Sequence, residues 1–319
     1  DVTGKDASTS TTDTTPIDIA LVLDVSGSMN DDFGGRGSPS KISALKTAVN
    51  SFLDETAKTN DTIEDDNNKV KVALVKYANQ IGTATGADGC RISNSRQSDT
   101  DNCTQIVQEL TTDAGLLKTS VNGLQAAGAT YADAAMEVAQ QARAGAKKYV
   151  IFFTDGEPNH WSAFDDDVAN AAIKKSQELK NAGTTVYSID IFDGANPSAN
   201  VSSASNTNKF MHGISSNYPN ATGYRSLGDR ASGDYYYSAS SATQLAQIFN
   251  DIQKTITEKH VYTGVSITDE LSEYAKQSGI AYDKSTARTF DGKTFYKVTS
   301  GVTAQCHHTD PLFSKKDFR

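Results

Sequence analysis

Apolar side chains recur along this chain in two periods. Residues 17–24, IDIALVLD, are apolar almost throughout, the pattern of a strand covered on both faces. Similar runs occur in KVKVALVKYAN around Val70, Val72 and Leu74, in KKYVIFFTDG ahead of Asp155, and in TTVYSIDIF. Between them the spacing changes to three, four and seven. Ile42, Leu45, Val49, Phe52 and Leu53 then share one helix face, with Ser40 placed to cap it. Further helices are predicted near 114–124, over 131–144 with Ala135, Val138 and Ala142 inward, and over 165–181. A last one starts at the capping pair Ser241 and Gln244 and carries Leu245, Ile248, Phe249, Ile252 and Ile256 as a stripe. QIVQEL at 105–110 is short enough for an edge strand, and DYYYSAS supplies the final strand. Strand–helix alternation of this kind predicts an α/β fold: a doubly wound, mostly parallel sheet with helices on both faces.

Three segments depart from the alternation. Residues 1–16 are polar and Ser/Thr-rich and read as a linker or peripheral strand at the start of a trimmed mature fragment. Residues 193–234 form a polar excursion too long for an ordinary connection, which predicts a functional or mobile loop. From Val261, VYTGVSITDELSEYAKQSG and RTFDGKTFYKVTSGV alternate between Gly/Asp turns, as β-structure of a separate, incomplete domain would. The expected division is therefore 1–16, 17–258 and 259–319.

Composition narrows the function. The 319 residues suffice for one large or two modest domains. Mean hydropathy is −0.48 and no apolar run approaches the roughly 18 residues of a membrane span, so membrane insertion is not expected. A net charge of −9 and the lack of any Lys/Arg stripe disfavour nucleic acid. Cys90 and Cys103 bracket the polar stretch RISNSRQSDTDN. A disulfide closing it would stabilise by about 3 kcal/mol in the chain-entropy view and imply an extracellular setting; two reduced surface thiols are the other reading. Cys306-His307-His308 lacks a fourth ligand at zinc-site spacing and reads as the edge of a truncated domain. Neither a phosphate loop nor the residue order of a nucleophilic enzyme is recognisable, so no catalysis is expected.

The candidate chemistry lies where the first strand runs out, in Asp24-Val25-Ser26-Gly27-Ser28. Ser26 and Ser28 project to one side of an extended turn, and Gly27 lets the backbone bend between them. Three oxygen ligands thereby converge. Thr130 follows in AAGATYADA and Asp155 in YVIFFTDGEPN. This order resembles the metal-ion-dependent adhesion site of von Willebrand factor A domains, Asp-x-Ser-x-Ser followed by Thr and Asp, and the resemblance covers about 17–257. It implies direct bonds from Ser26, Ser28 and Thr130, with Asp24 and Asp155 acting mostly through water. Hard oxygen ligands of this kind suit Mg²⁺, with Mn²⁺ or Ca²⁺ able to replace it, and the open side of the cation would take a partner carboxylate. Right-handed crossovers place all five residues at the carboxyl ends of the strands, where open α/β sheets bind ligands. The bland alternative is that Ser26 and Ser28 cap the turn and Asp155 caps a helix.

Two further phrases resemble a subgroup of the family. NKFMHGISSNYPNAT is similar to a segment of the von Willebrand A domains of Gram-positive pilus tip proteins, and VSITDELSEY to the entry into their immunoglobulin-like stalks. The resemblance implies the tip adhesin of a sortase-assembled pilus, extracellular and anchored to the cell wall. It would bind a host matrix or cell-surface protein such as collagen or fibronectin, and join a pilus backbone subunit through regions outside this sequence. The alternatives are a structural pilus module and an intracellular subunit of a chelatase or AAA-type assembly, the latter expecting reduced cysteines and no β-stalk. His160 and Trp161 are candidates for the rim of a binding surface, or an exposed pair without a role. Asp165, Asp166 and Asp167 read as negative charge at a helix N-terminus.

Overall fold

The first strand, β1 (Ile17–Asp24), is buried at every position. Its side chains alternate between two cores, as strand geometry requires: Ile19, Leu21 and Leu23 enter one, Ala20 and Val22 the other. In the computed structural model, which describes residues 15–82, 102–139, 142–161, 163–261, 281–290 and 293–300, β1 lies inside a six-stranded sheet. The other strands are β2 (Lys71–Tyr77), β3 (Gln105–Thr111), β4 (Lys147–Thr154), β5 (Thr185–Asp190) and β6 (Tyr236–Ser238), in the order β3-β2-β1-β4-β5-β6. All pairings are parallel except β2 with β3. The doubly wound α/β fold read from the sequence is thus the observed one, with 105–110 at an edge.

Helices α1 (Lys41–Asp61), α2 (Ala114–Asn122) and α6 (Ala242–Val261) cover one face. Helices α3 (Ala132–Val138), α4 (Asp166–Asn181) and α5 (Asn206–Ile214) cover the other. The stripe Ile42, Leu45, Val49, Phe52 and Leu53 is buried as its spacing demands, each side chain contributing about 1.5–3 kcal/mol of transfer free energy. Leu245, Phe249, Ile252 and Ile256 of α6 meet it, with Phe249 edge-on to Phe52 at 6.2 Å. Caps fix the helix starts: Ser40 accepts from Ser43 N–H, and Asp165 from the N–H groups of Asp167 and Val168. At α6 the capping box is displaced by one residue. Ser241 accepts from Gln244 N–H, whereas Gln244 Oε1 accepts from Ser240 N–H and Oγ.

Two expectations are corrected. The helix expected over 131–144 is only Ala132–Val138, so Ala135 is buried but Ala142 lies beyond the helix. Arg143 draws the chain away: its backbone N–H and guanidinium bind the Asp18 carboxylate, and the guanidinium also reaches the carbonyls of Ile17, Asn67 and Lys69. Nor is 193–234 a loose excursion. It contains α5, and Tyr218, Ala221, Tyr224 and Leu227 are buried in the second core. Lys180 Nζ binds this segment by donating to the carbonyls of Gly213, Ser215 and Tyr218 at 2.8–3.1 Å.

The chain divides into two compact units, of which the larger is Thr12–Thr263. The other contains an antiparallel pair, β7 (Ala281–Phe290) and β8 (Lys293–Ser300), closed at Phe290 opposite Lys293. The β-texture expected in 259–319 is observed for these two strands, while α6 continues to Val261. The remainder of 259–319, Cys306-His307-His308 included, lies outside the described residues, as do 1–14 and Cys90. Among the described residues no helix is long and apolar enough to cross a membrane.

Candidate metal centre

β1 ends in Asp24, and the chain then turns through a short 3-10 segment, Gly27–Asn30. Asp24 is buried. Its Oδ1 accepts from Ser26 N–H at 2.8 Å and its Oδ2 from the Thr154 hydroxyl at 2.8 Å. Ser26 Oγ and Ser28 Oγ lie 3.2 Å apart, and Ser28 Oγ donates to Asp155 Oδ1 at 2.8 Å. The other oxygen of Asp155 pairs with Lys41 Nζ, also at 2.8 Å. Asp24, Ser26, Ser28 and Asp155 therefore share one hydrogen-bonded cluster where β1 and β4 run out.

Thr130 reaches the same edge through its backbone. Gly27 N–H donates to Gly128 O and Ala127 N–H to Val25 O, both at 2.9 Å, which lays 127–130 along the serine turn. On its far side Thr130 exchanges two backbone bonds with Asn159, of 3.2 and 3.0 Å, in the loop that follows Asp155. Thr130 is buried there. Two asparagines hold this frame. Asn102 Nδ2 reaches the carbonyls of Val25, Gln125 and Ala127 at 2.8–3.0 Å, and Asn79 Oδ1 accepts from Ala129 N–H at 3.0 Å. Gly128 sits at φ +94°, and a Cβ there would lie 2.5 Å from Asn79 Nδ2, so only glycine fits.

The electrostatics follow from burial. Removal from water, then repulsion by Asp155, pushes the Asp24 carboxyl up to about 7. Burial and the Asp24 charge also raise the Tyr77 phenol well above its usual value; its hydroxyl donates to Phe153 O at 2.9 Å. The donors are oxygens alone. Among the described residues no group of three or more His, Cys, Asp or Glu side chains is arranged to hold a metal, so a cation here would rely on hydroxyls beside two carboxylates.

This strand-end cluster lies within residues 18–251, which match the profile of the von Willebrand factor type A domain. The chain belongs to that family. No curated protein sequence matches it. Among solved structures, the PilB minor pilin from Streptococcus sanguinis is similar at TM-score 0.52 and 15% identity, over 78% of this chain and 63% of the pilin. The pilus adhesin SpaC from Lactobacillus rhamnosus GG, in its open conformation, is similar at TM-score 0.51 and 18% identity, over 77% of this chain and 30% of the adhesin. Both are pilus proteins; at these identities the likeness is one of fold, and this chain spans less than two thirds of either.

In this von Willebrand A domain several residues at the site escaped the sequence reading. Lys41 gave no signal beyond following a cap, and Asn79 and Asn102 are polar residues beside strands with no periodicity to mark them. Thr154 stood in the Thr-Asp-Gly phrase without an assigned role. The rim candidates separate: Trp161 is 83% exposed, whereas His160 stacks on Tyr131 at 3.9 Å between centroids and meets Asp133 at 3.3 Å. Cys103 is buried and disulfide-bonded, and the next residue, Thr104, donates its N–H to Gln80 O. Beside Asp155 and Lys41 runs a groove of about 590 Å³, lined also by Asp31, Phe33, Asp193 and Gln244.

Proposed function

We propose that the strand-end cluster holds a divalent metal and that the domain adheres through it to a protein surface. The observation that carries this reading is the hydrogen-bonded convergence of Asp24, Ser26, Ser28 and Asp155, with the Thr130 segment tied to the same turn. Ser26, Ser28 and Thr130 would supply neutral donors, and Asp24 and Asp155 the negative charge. Burial lifts Asp24 most and repulsion by Asp155 adds to it, and that repulsion is what a cation would relieve. Once bound, Mg²⁺, or Mn²⁺ or Ca²⁺ in its place, supplies an electrophilic position for a partner carboxylate. The groove and the exposed Trp161 indole give the partner further contact area.

The role that fits is an extracellular, non-enzymatic adhesin, the tip subunit of a Gram-positive sortase-assembled pilus, facing a host matrix or cell-surface protein. The fold shared with a minor pilin and a pilus adhesin supports a pilus setting. The disulfide at Cys103, with Cys90 proposed as its partner, speaks against an intracellular chelatase-type subunit. The test is an adhesion screen against matrix proteins such as collagen and fibronectin, with Mg²⁺ and with EDTA, on the wild type and Asp155→Ala. Binding that needs Mg²⁺ and is lost in the variant supports the reading; binding that persists in EDTA overturns the metal bridge.

A further inference from the structure

Lys41 is the first residue of α1, where a positive charge is opposed by the positive end of the helix dipole. Its placement is nevertheless built in. Residues 31–40 fold back on themselves: Phe33 N–H donates to Pro39 O at 2.9 Å, Asp32 bridges Ser40, and Gly37 N–H donates to Asp32 Oδ2 at 3.0 Å. Gly34 and Gly35, at φ +100° and +113°, allow the reversal. Lys41 N–H then donates to Asp31 O at 2.9 Å, which fixes the helix start against the loop. The side chain, 17% exposed, extends to Asp155 Oδ2, while Ser28 Oγ occupies Oδ1. Both oxygens of Asp155 are engaged by the protein itself.

We propose that Lys41 is an internal cation that competes with the divalent metal for Asp155, so that metal loading exchanges one positive partner of this carboxylate for another. The inference rests on the metal reading of the site. A buried carboxylate stripped of its counter-charge is costly, and the ammonium gives Asp155 a partner that holds it in place without a metal. The same ammonium repels an approaching divalent ion, and its bond to Oδ2 must be released before that oxygen serves a metal. Lys41 thus sets a threshold cation concentration for adhesion.

The test uses the whole chain and Mn²⁺ as the probe. Lys41→Met keeps the length of the side chain and removes its charge. Calorimetric titration should show this variant binding Mn²⁺ about tenfold more tightly, the scale on which loss of one largely buried charge pair alters a linked equilibrium. In EDTA the variant should melt several degrees below wild type, because Asp155 loses its partner. A third measurement needs no variant: acylation of Lys41 in wild type, read by mass spectrometry against the exposed Lys58, should be slow in EDTA and faster with Mn²⁺. Equal or weaker Mn²⁺ binding by Lys41→Met, or Lys41 acylation indifferent to Mn²⁺ that demonstrably binds, overturns the exchange and leaves the metal reading standing. Failure of both proteins to bind Mn²⁺ overturns the metal reading and the exchange together.

Discussion

Two neighbouring strand ends carry buried carboxyls, and the protein treats them in opposite ways. At the end of β5, Asp190 meets the Tyr236 hydroxyl, which also lies 2.8 Å from Asn208 Oδ1. Asn208 Oδ1 accepts from Asn196 N–H as well, while its Nδ2 donates to Gly194 O and Ser205 Oγ, so this oxygen is an acceptor only. Tyr236 has one proton to give. If Asn208 receives it, the contact with Asp190 needs a proton on the carboxyl, in agreement with burial raising Asp190 well above the carboxylate range. That site is closed. At the ends of β1 and β4, by contrast, Asp24 and Asp155 meet threonine and serine hydroxyls and one ammonium, and Asp155 lines a groove. The difference teaches that burial alone does not decide what a carboxyl meets: Asp190 is closed off beneath a tyrosine, whereas Asp155 lies between a serine hydroxyl and the Lys41 ammonium beside a groove.

The largest expected effect breaks the open site. Asp155→Ala, or Ser26→Ala with Ser28→Ala, should lower Mn²⁺ or Mg²⁺ affinity by more than the roughly 10–100-fold that loss of a supporting residue costs. Melting in Mg²⁺ and in EDTA should then coincide for the variants, while wild type gains stability from the metal by linkage. Retention of the metal response in both variants would move the cation elsewhere.

Next in size is a pH effect that tells the two carboxyls apart. Asp24 is raised from 3.8 to about 7 in the fold, so the folded state binds the extra proton. Its contribution to stability is complete below about pH 4 and is lost as pH rises through 7, on the order of 4 kcal/mol for about three units. Chemical denaturation in EDTA should show stability falling over this window, and Mg²⁺ should restore it at pH 7–8 but not at pH 5. Asp190 has the same sign, but its share of the slope should ignore Mg²⁺. In Asp24→Asn the Mg²⁺-sensitive part should vanish.

Smaller still is damage to the closed site. Tyr236→Phe leaves Asp190 without that hydroxyl and should cost about 1–3 kcal/mol in urea denaturation, with metal affinity unchanged. A shifted metal affinity would show that the two strand ends are coupled. The smallest effect on stability belongs to the rim. Trp161→Ala should alter folding by less than about 0.5 kcal/mol, yet weaken adhesion about fivefold if the indole packs on the partner; unchanged adhesion would remove Trp161 from the binding surface.

The sequence by itself determined the parallel sheet, the helix stripes and the neighbourhood of the site. Those depend on local periodicity and on side chains at the ends of strands, which a linear pattern records. IDIALVLD is apolar at nearly every position because both its faces are covered, and Asp24 and Asp155 lie at strand ends because each follows such a run. What only the tertiary structure decided is what those acids meet. Lys41 reaches Asp155 across 114 positions, Thr154 reaches Asp24 across 130, and Arg143 ends α3 early by binding Asp18 across 125. The long polar stretch after β5 likewise became a packed layer, because α5 and four apolar side chains among its polar residues found the second core. Contacts at such separations arise from the winding of the sheet, which brings distant residues to one edge, and no local spacing encodes which side chain will fill the gap between two buried charges.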